Sequence, residues 1–146
     1  MTAAAQLESL GRDFEFESEN CVMEYYTTVP KGGLINKEGE IVELQKGFKA
    51  VQLRVYTADF LIFKKNGGVM LIETKGYFKP KDRKKHQILK KLYPQIDLRL
   101  IFQSDGKVSH KTRYSQWAEK HGYKFHVMSA GDKKINQVIP LDWLEE

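Results

Sequence analysis

Cysteine is nearly missing from this sequence, and so is any apolar run long enough to cross a membrane. The one thiol, Cys21, permits no internal disulfide and no cysteine-based zinc cluster, so stability has to come from packing, within the chain or between subunits. Cys21 itself reads as a small, half-buried packing residue. No window approaches the roughly 18 apolar residues of a membrane span, and the opening MTAAAQLESLGRD lacks the basic segment and apolar core of a signal peptide. A cytoplasmic protein without membrane contact is expected. His110, His121 and His126 show no HxxxH or comparable ligand spacing and are assigned no role. Internal repeats and low-complexity tracts are absent too. What remains, 146 residues of which 41% are hydrophobic, suffices for one domain with a real core and falls short of two.

The net charge of +5 is unevenly spread: residues 1–47 carry four Lys/Arg against nine Asp/Glu, and residues 48–146 carry twenty against ten. The second part is the expected anion-facing part, because clustered Lys and Arg gain affinity for nucleic acid by releasing counterions. A merely soluble basic surface would give the same numbers.

Ala3 to Leu10 has the composition of a short helix stopped by Gly11, and DFEFE from Asp13 alternates like a strand with Phe14 and Phe16 on one side. VMEYYTTVP is strand-like as well. Two turn signals, KGG after Pro30 and then NKEGE, enclose a polar excursion before the apolar stretch from Phe48 to Tyr56, so hairpin-type elements with one extended loop are expected there. DFLIF from Asp59 and VMLIETK flank Asn66, Gly67 and Gly68, a tight connection that predicts an antiparallel pair and brings Asp59 and Glu73 to one end of the sheet.

PKDRKKHQILKKLY predicts a helix from Pro80, which suits a first turn; Asp82 favours the N-terminal dipole, and Ile88, Leu89 and Leu92 form an apolar stripe. IDLRLIF is a further strand, TRYSQWAEKHG a helix ending at Gly122, YKFHVM a short strand, and IPLDWL packs the C-terminus. That order is α/β with a mixed sheet. Trp117, Trp143, Tyr25, Tyr26 and Tyr56 are read as packing residues.

Val69 to Ile72 is apolar enough for a strand covered on both faces, where an ionisable group is unfavourable unless paired or metal-bound. Yet the strand ends in Glu73, Thr74 and Lys75. With Asp59 this has the form D…ExK on two adjacent strands. Magnesium needs oxygen ligands and usually keeps several waters, so two carboxylates plus the Thr74 carbonyl would hold it against a phosphate. Lys75 could orient or help deprotonate the attacking water and balance charge in the transition state, while the metal polarises the phosphate. Phosphodiester hydrolysis is the chemistry this set suits. As a bare pattern it is weak, since all three residue types are abundant; its position after a Gly-Gly hairpin and before a basic helix strengthens it. The competing reading is a plain salt bridge between Glu73 and Lys75 or Asp59 at the rim of the sheet.

The strings ADFLIF, ETKG, DRKKH, YPQIDLRLIF and WAEKHGYKF…IPLDWL, in this order, resemble the phage-type endonuclease I family, Holliday-junction-resolving nucleases of the PD-(D/E)xK superfamily. The resemblance runs from about Tyr56 to Glu146, with a weaker echo in QLESLGRDFEFE. It implies a restriction-endonuclease-like α/β fold, a mixed β-sheet flanked by helices, as a single nuclease domain over 1–146 with its catalytic core at 56–146. It also implies an intertwined homodimer that exchanges the N-terminal segment 1–55. By the same resemblance Asp59 and Glu73 are metal-binding catalytic carboxylates, Lys75 is the catalytic lysine, and the main-chain carbonyl of Thr74 is a further ligand. The activity implied is cutting of two strands of a four-way DNA junction with Mg²⁺ or Mn²⁺.

Two departures stand out. The family's Pro before the first Asp is Ala58 here, which leaves the ligand in place. A further family glutamate, on the N-terminal helix, would fall before Met1, so Glu8 is the only nearby substitute, and it suits a solvated helix position equally.

Lys81, Arg83, Lys84 and Lys85 follow the ExK strand closely and could contact phosphates flanking the cut without reading sequence. A solvated basic face is the bland alternative. His86 is expected to be structural or a phosphate contact rather than a base. Three functions compete: a Mg²⁺-dependent, structure-selective endonuclease acting on branched DNA; a sequence- or lesion-directed duplex endonuclease of the same fold; and a non-catalytic protein that holds junctions or blocks a host factor. The duplex reading needs base-reading loops, and the connections after residue 56 look short.

Overall fold

The computed structural model describes residues 2–28, 34–35, 41–42, 51–129 and 138–146. In chain order its elements are α1 (Ala3–Ser9), β1 (Phe14–Phe16), a 3₁₀ turn (Glu19–Cys21), β2 (Val22–Thr28), β3 (Leu34–Ile35), β4 (Ile41–Val42), β5 (Val51–Thr57), β6 (Phe60–Phe63), β7 (Val69–Lys75), α2 (Pro80–Leu92), β8 (Leu98–Phe102), α3 (Tyr114–Lys120), β9 (Phe125–Val127) and α4 (Leu141–Leu144). They form two compact units: Met1–Val22 with Thr57–Glu146, and Met23–Tyr56. In the second, β2 pairs with β5, and β3 pairs antiparallel with β4. The KGG and NKEGE turns and the start of the apolar stretch at Phe48 lie outside the described residues.

In the first unit the sheet grows from the Asn66–Gly68 turn. Gly67 takes φ +91°, a left-handed conformation that favours glycine, and the Asn66 side chain accepts the Gly68 N–H at 2.9 Å. β6 and β7 therefore pair antiparallel, Phe60 opposite Ile72 and Phe63 opposite Val69. β1 adds antiparallel to β6, while β8 and β9 follow helices and add parallel on the other side, giving the order β1-β6-β7-β8-β9. This is the mixed, restriction-endonuclease-like α/β sheet expected from the sequence.

Alternation along the strands divides the core into two layers. Phe60, Ile62, Met70, Ile72 and Ile101 pack with Ala3 and Leu7 of α1 and with Trp143 and Leu144 of α4. The buried Gln6 side chain ties these elements together, donating to the Ile139 carbonyl at 2.7 Å and accepting the Val138 and Ile139 N–H groups. The other layer is aromatic: the Phe78 ring lies 5.3 Å from Phe102, 5.7 Å from Tyr114 and 4.8 Å from Trp117.

That aromatic layer sets the rotation of α2 and corrects the expected stripe. Leu89 is buried, but Leu92, in the last turn, is 50% exposed, and His86 takes the inward position between Phe78 and Tyr123. Its ring is buried, which removes it as a phosphate contact. Burial first, then the nearby Lys85 and Lys75 charges, lower its pKa to about 3. Cys21 is wholly buried rather than half-buried. Trp117, Trp143, Tyr25 and Tyr56 are buried as expected, and the Tyr26 side chain lies outside the described residues.

Candidate active site

The ladder between β6 and β7 begins at Phe60 and Ile72, so the last three residues of β7 run past it on that edge. Asp59 fills the gap. Its Oδ2 accepts the Thr74 N–H at 2.8 Å and the Thr74 hydroxyl at 2.9 Å. Both bonds converge on one oxygen, and among the described residues Oδ1 has no protein donor. The N–H and C=O of one strand residue share an edge, alternating along the chain. The Lys75 carbonyl accepts the Gln103 N–H on the β8 edge, so the Thr74 carbonyl lies on the edge where Asp59 sits.

Glu73 and Lys75, two residues apart, share the face covered by α2. Lys75 Nζ lies 2.9 Å from Glu73 Oε1 and 3.8 Å from Asp82 Oδ2, and Asp82 also meets Lys85 Nζ at 3.5 Å. Charges thus alternate from the end of β7 into the first turn of α2. Glu73 is only 6% exposed, and the ammonium beside it offsets the cost of burying its charge. The rim salt bridge weighed as the alternative therefore forms, and it leaves Asp59 and the Thr74 carbonyl out of the pairing.

A cleft of about 640 Å³ opens beside Asp59 and Thr74, with Thr2, Ala4, Gln103 and Met128 among its walls. Glu73 and Lys75 do not line it. Glu17 does, and the sequence reading missed it: its φ of +45° is rare for a side-chain-bearing residue, and its N–H donates to the Asp59 carbonyl at 2.9 Å. That bond helps hold the backbone at Asp59. Asp82, read as a helix-dipole residue, also belongs to the site through Lys75.

Glu8 is exposed, one turn beyond Ala4 on α1. It does not join Asp59 and Glu73, since among the described residues no three His, Cys, Asp or Glu side chains form a ligand group. The four basic residues expected to face phosphate divide. Lys81 and Lys84 are exposed, whereas Arg83 donates to the Phe78 carbonyl at 2.8 Å and Lys85 pairs with Asp82.

The sequence profile of phage endonuclease I matches residues 38–146, which include Asp59, Glu73, Lys75 and Asp82. The chain belongs to that family. Relatives within it include endodeoxyribonuclease 1 of Enterobacteria phage T3, 39% identical over 94 residues that cover 60% of this chain and 59% of that protein. Endonuclease I of Escherichia phage T7 is 36% identical over 94 residues, 62% of this chain and 54% of that protein. The chain thus spans between a half and three fifths of the length of these relatives. Among the described residues of this family member, no helix is long and apolar enough to cross a membrane.

Proposed function

We propose that this phage endonuclease I family member is a Mg²⁺-dependent DNA endonuclease that hydrolyses phosphodiester bonds in branched DNA, working as a homodimer in the host cytoplasm. The names of the two relatives support endonuclease activity. The observation that carries the reading is the end of β7, where Asp59 Oδ1, the Thr74 carbonyl and Glu73 are placed on consecutive or facing positions with Lys75 next to them. Junction selectivity and the homodimer rest on the family resemblance.

Two carboxylates and a carbonyl suit Mg²⁺, which keeps waters and shares its shell with a phosphate; Mn²⁺ would substitute. Asp59, Glu73 and the Thr74 carbonyl would hold the ion, which when bound would polarise the scissile phosphate and acidify a water. The bonds from Thr74 fix the Asp59 carboxylate through Oδ2 and, among the described residues, leave Oδ1 without a protein donor, so little reorganisation is needed on binding. Lys75, held between Glu73 and Asp82, supplies a fixed positive charge at the reacting phosphate and orients the attacking water. Lys81 and Lys84 contact phosphates flanking the cut, on a surface that Arg83 and Lys85 shape from within.

The test is cleavage of an end-labelled four-way junction beside linear duplex of the same arms, with Mg²⁺, Mn²⁺ or EDTA. Wild type should cut the junction in either metal and not in EDTA, and Glu73→Gln should lose at least about 100-fold in rate. Tight junction binding without cutting in either metal would overturn the enzymatic reading in favour of a protein that holds junctions. Light scattering should give twice the chain mass.

A further inference from the structure

We infer that residues 105–113 form a second phosphate-contact element, a rigid basic finger beside the site that holds the DNA backbone outside the cut; this rests on the endonuclease reading above. β8 runs parallel to β7 with Phe102 opposite Lys75, so the chain leaves β8 at the end of the sheet where Asp59 and Glu73 lie. The next residue, Gln103, bonds the Lys75 carbonyl and lines the cleft.

From there the chain makes a short excursion held at its base by several hydrogen bonds. The Asp105 carboxylate accepts the Ser115 N–H at 3.0 Å and hydroxyl at 2.7 Å, and its carbonyl accepts the Arg113 guanidinium at 2.9 Å. Lys107 and Arg113 pair as an antiparallel bridge, and the Val108 N–H donates to the Thr112 carbonyl at 2.8 Å. Gly106 lies flat on the Tyr114 ring, where a Cβ would come within 2.7 Å of ring carbons. The hydroxyl of that same Tyr114 accepts the Phe78 N–H at 3.2 Å, two residues before α2 begins. Finger and helix N-terminus are thus fixed to one side chain.

What the finger presents is charge. Lys107, His110 and Lys111 are exposed, no Asp or Glu occurs between Gly106 and Arg113, and among the described residues neither lysine forms an ion pair. Ordering a loop costs conformational entropy, and holding like charges together on it adds repulsion. A polyanion reverses the second effect and gains from the first, because prearranged lysines lose little freedom on binding. Lysine tips favour phosphate over base edges, so the finger positions DNA without reading sequence. Sequence reading passed over it because Lys107, Lys111 and Arg113 are spaced out rather than contiguous.

The experiment measures the Kd of junction and duplex oligonucleotides in EDTA from about 50 to 200 mM salt, for wild type, the double variant Lys107→Gln/Lys111→Gln, and Lys65→Gln in the turn at the opposite end of the β6–β7 hairpin. The double variant should bind both DNAs more weakly, with a salt slope reduced by about one per lysine, so that its deficit shrinks about 3.5-fold per lysine across that range. Thermal unfolding should be unchanged, and Lys65→Gln should keep the wild-type slope. A double variant with wild-type Kd and slope, beside a wild type that binds and cuts, overturns the finger alone. An equal loss per lysine in Lys65→Gln would reduce it to net charge and overturn it as well, and a wild type that binds no DNA overturns both readings.

Discussion

Lowering the pH from 7 to 5 should cost the fold about 2 kcal/mol through His86 alone. The ring is wholly buried against Phe78 and Tyr123, and desolvation, reinforced by Lys85 and Lys75 and opposed by Asp82, brings its pKa from 6.5 to about 3. The unfolded chain takes up the proton below pH 6.5 and the folded chain does not. Stability is therefore fully present above pH 6.5 and is lost as the pH falls toward 3. At pH 5 the gap of one and a half units, at about 1.4 kcal/mol per unit, gives the 2 kcal/mol. Among the described residues the carboxylates with lowered pKa values, Glu146, Asp97 and Glu15, act below their ordinary range and so leave this window to His86. His121 shifts in the same direction through burial and Lys120, but it is largely solvated and adds little. Urea unfolding followed by circular dichroism at pH 7, 6 and 5 reads the effect, with His86→Leu as the comparison. The variant removes the proton-binding difference whatever it does to absolute stability. Wild type should lose about 2 kcal/mol more than His86→Leu between pH 7 and 5, and equal losses would refute the reasoning.

Arg99 is 2% exposed, bonds Asp97 at 2.9 and 2.8 Å and Glu146 at 2.6 and 2.7 Å, and lies 5.2 Å from the Trp143 ring. Arg99→Met should cost about 3 kcal/mol in chemical denaturation, the low end for a broken buried pair, because Asp97 keeps Lys64 and Glu146 keeps Lys124; a cost below about 1 kcal/mol would show those lysines suffice. The Arg99 bonds hold Glu146 at about 2 instead of 4.5, so wild type should lose this contribution between those pH values while Arg99→Met does not. Asp82→Asn removes the carboxylate 3.8 Å from Lys75 Nζ. Losing about 1.4 kcal/mol of orientation would slow cleavage at saturating DNA tenfold with Kd unchanged, and Asp82→Glu should recover part of it; an unaltered rate would mean Glu73 alone positions the lysine.

Local signals made the hairpin legible: Asn66, Gly67 and Gly68 between two apolar runs specify both the turn and the register, and the register alone brings Asp59 to Thr74. The rotation of α2 was not legible, because His86 is inward only in the presence of Phe78 and Tyr123, which come from other elements, and periodicity gives the aliphatic Leu92 more weight than an imidazole. Glu17 and Asp82 were hidden for the same reason. One reaches Asp59 through the β1–β6 pairing and the other reaches Lys75 through helix packing, and neither leaves a spacing in the chain. Charge shows the limit most clearly. The excess of Lys and Arg over residues 48–146 predicts an anion-facing part, but Lys64, Lys75, Lys85 and Arg99 are held by Asp97, Glu73, Asp82 and Glu146. An electrostatic footprint counted from composition is therefore an upper bound. What a polyanion would meet is the remainder after internal pairing, and beside this site the remainder includes Lys79 at the helix cap, Lys81 and Lys84 on the helix, and Lys107 and Lys111 on the finger fixed to it through Tyr114.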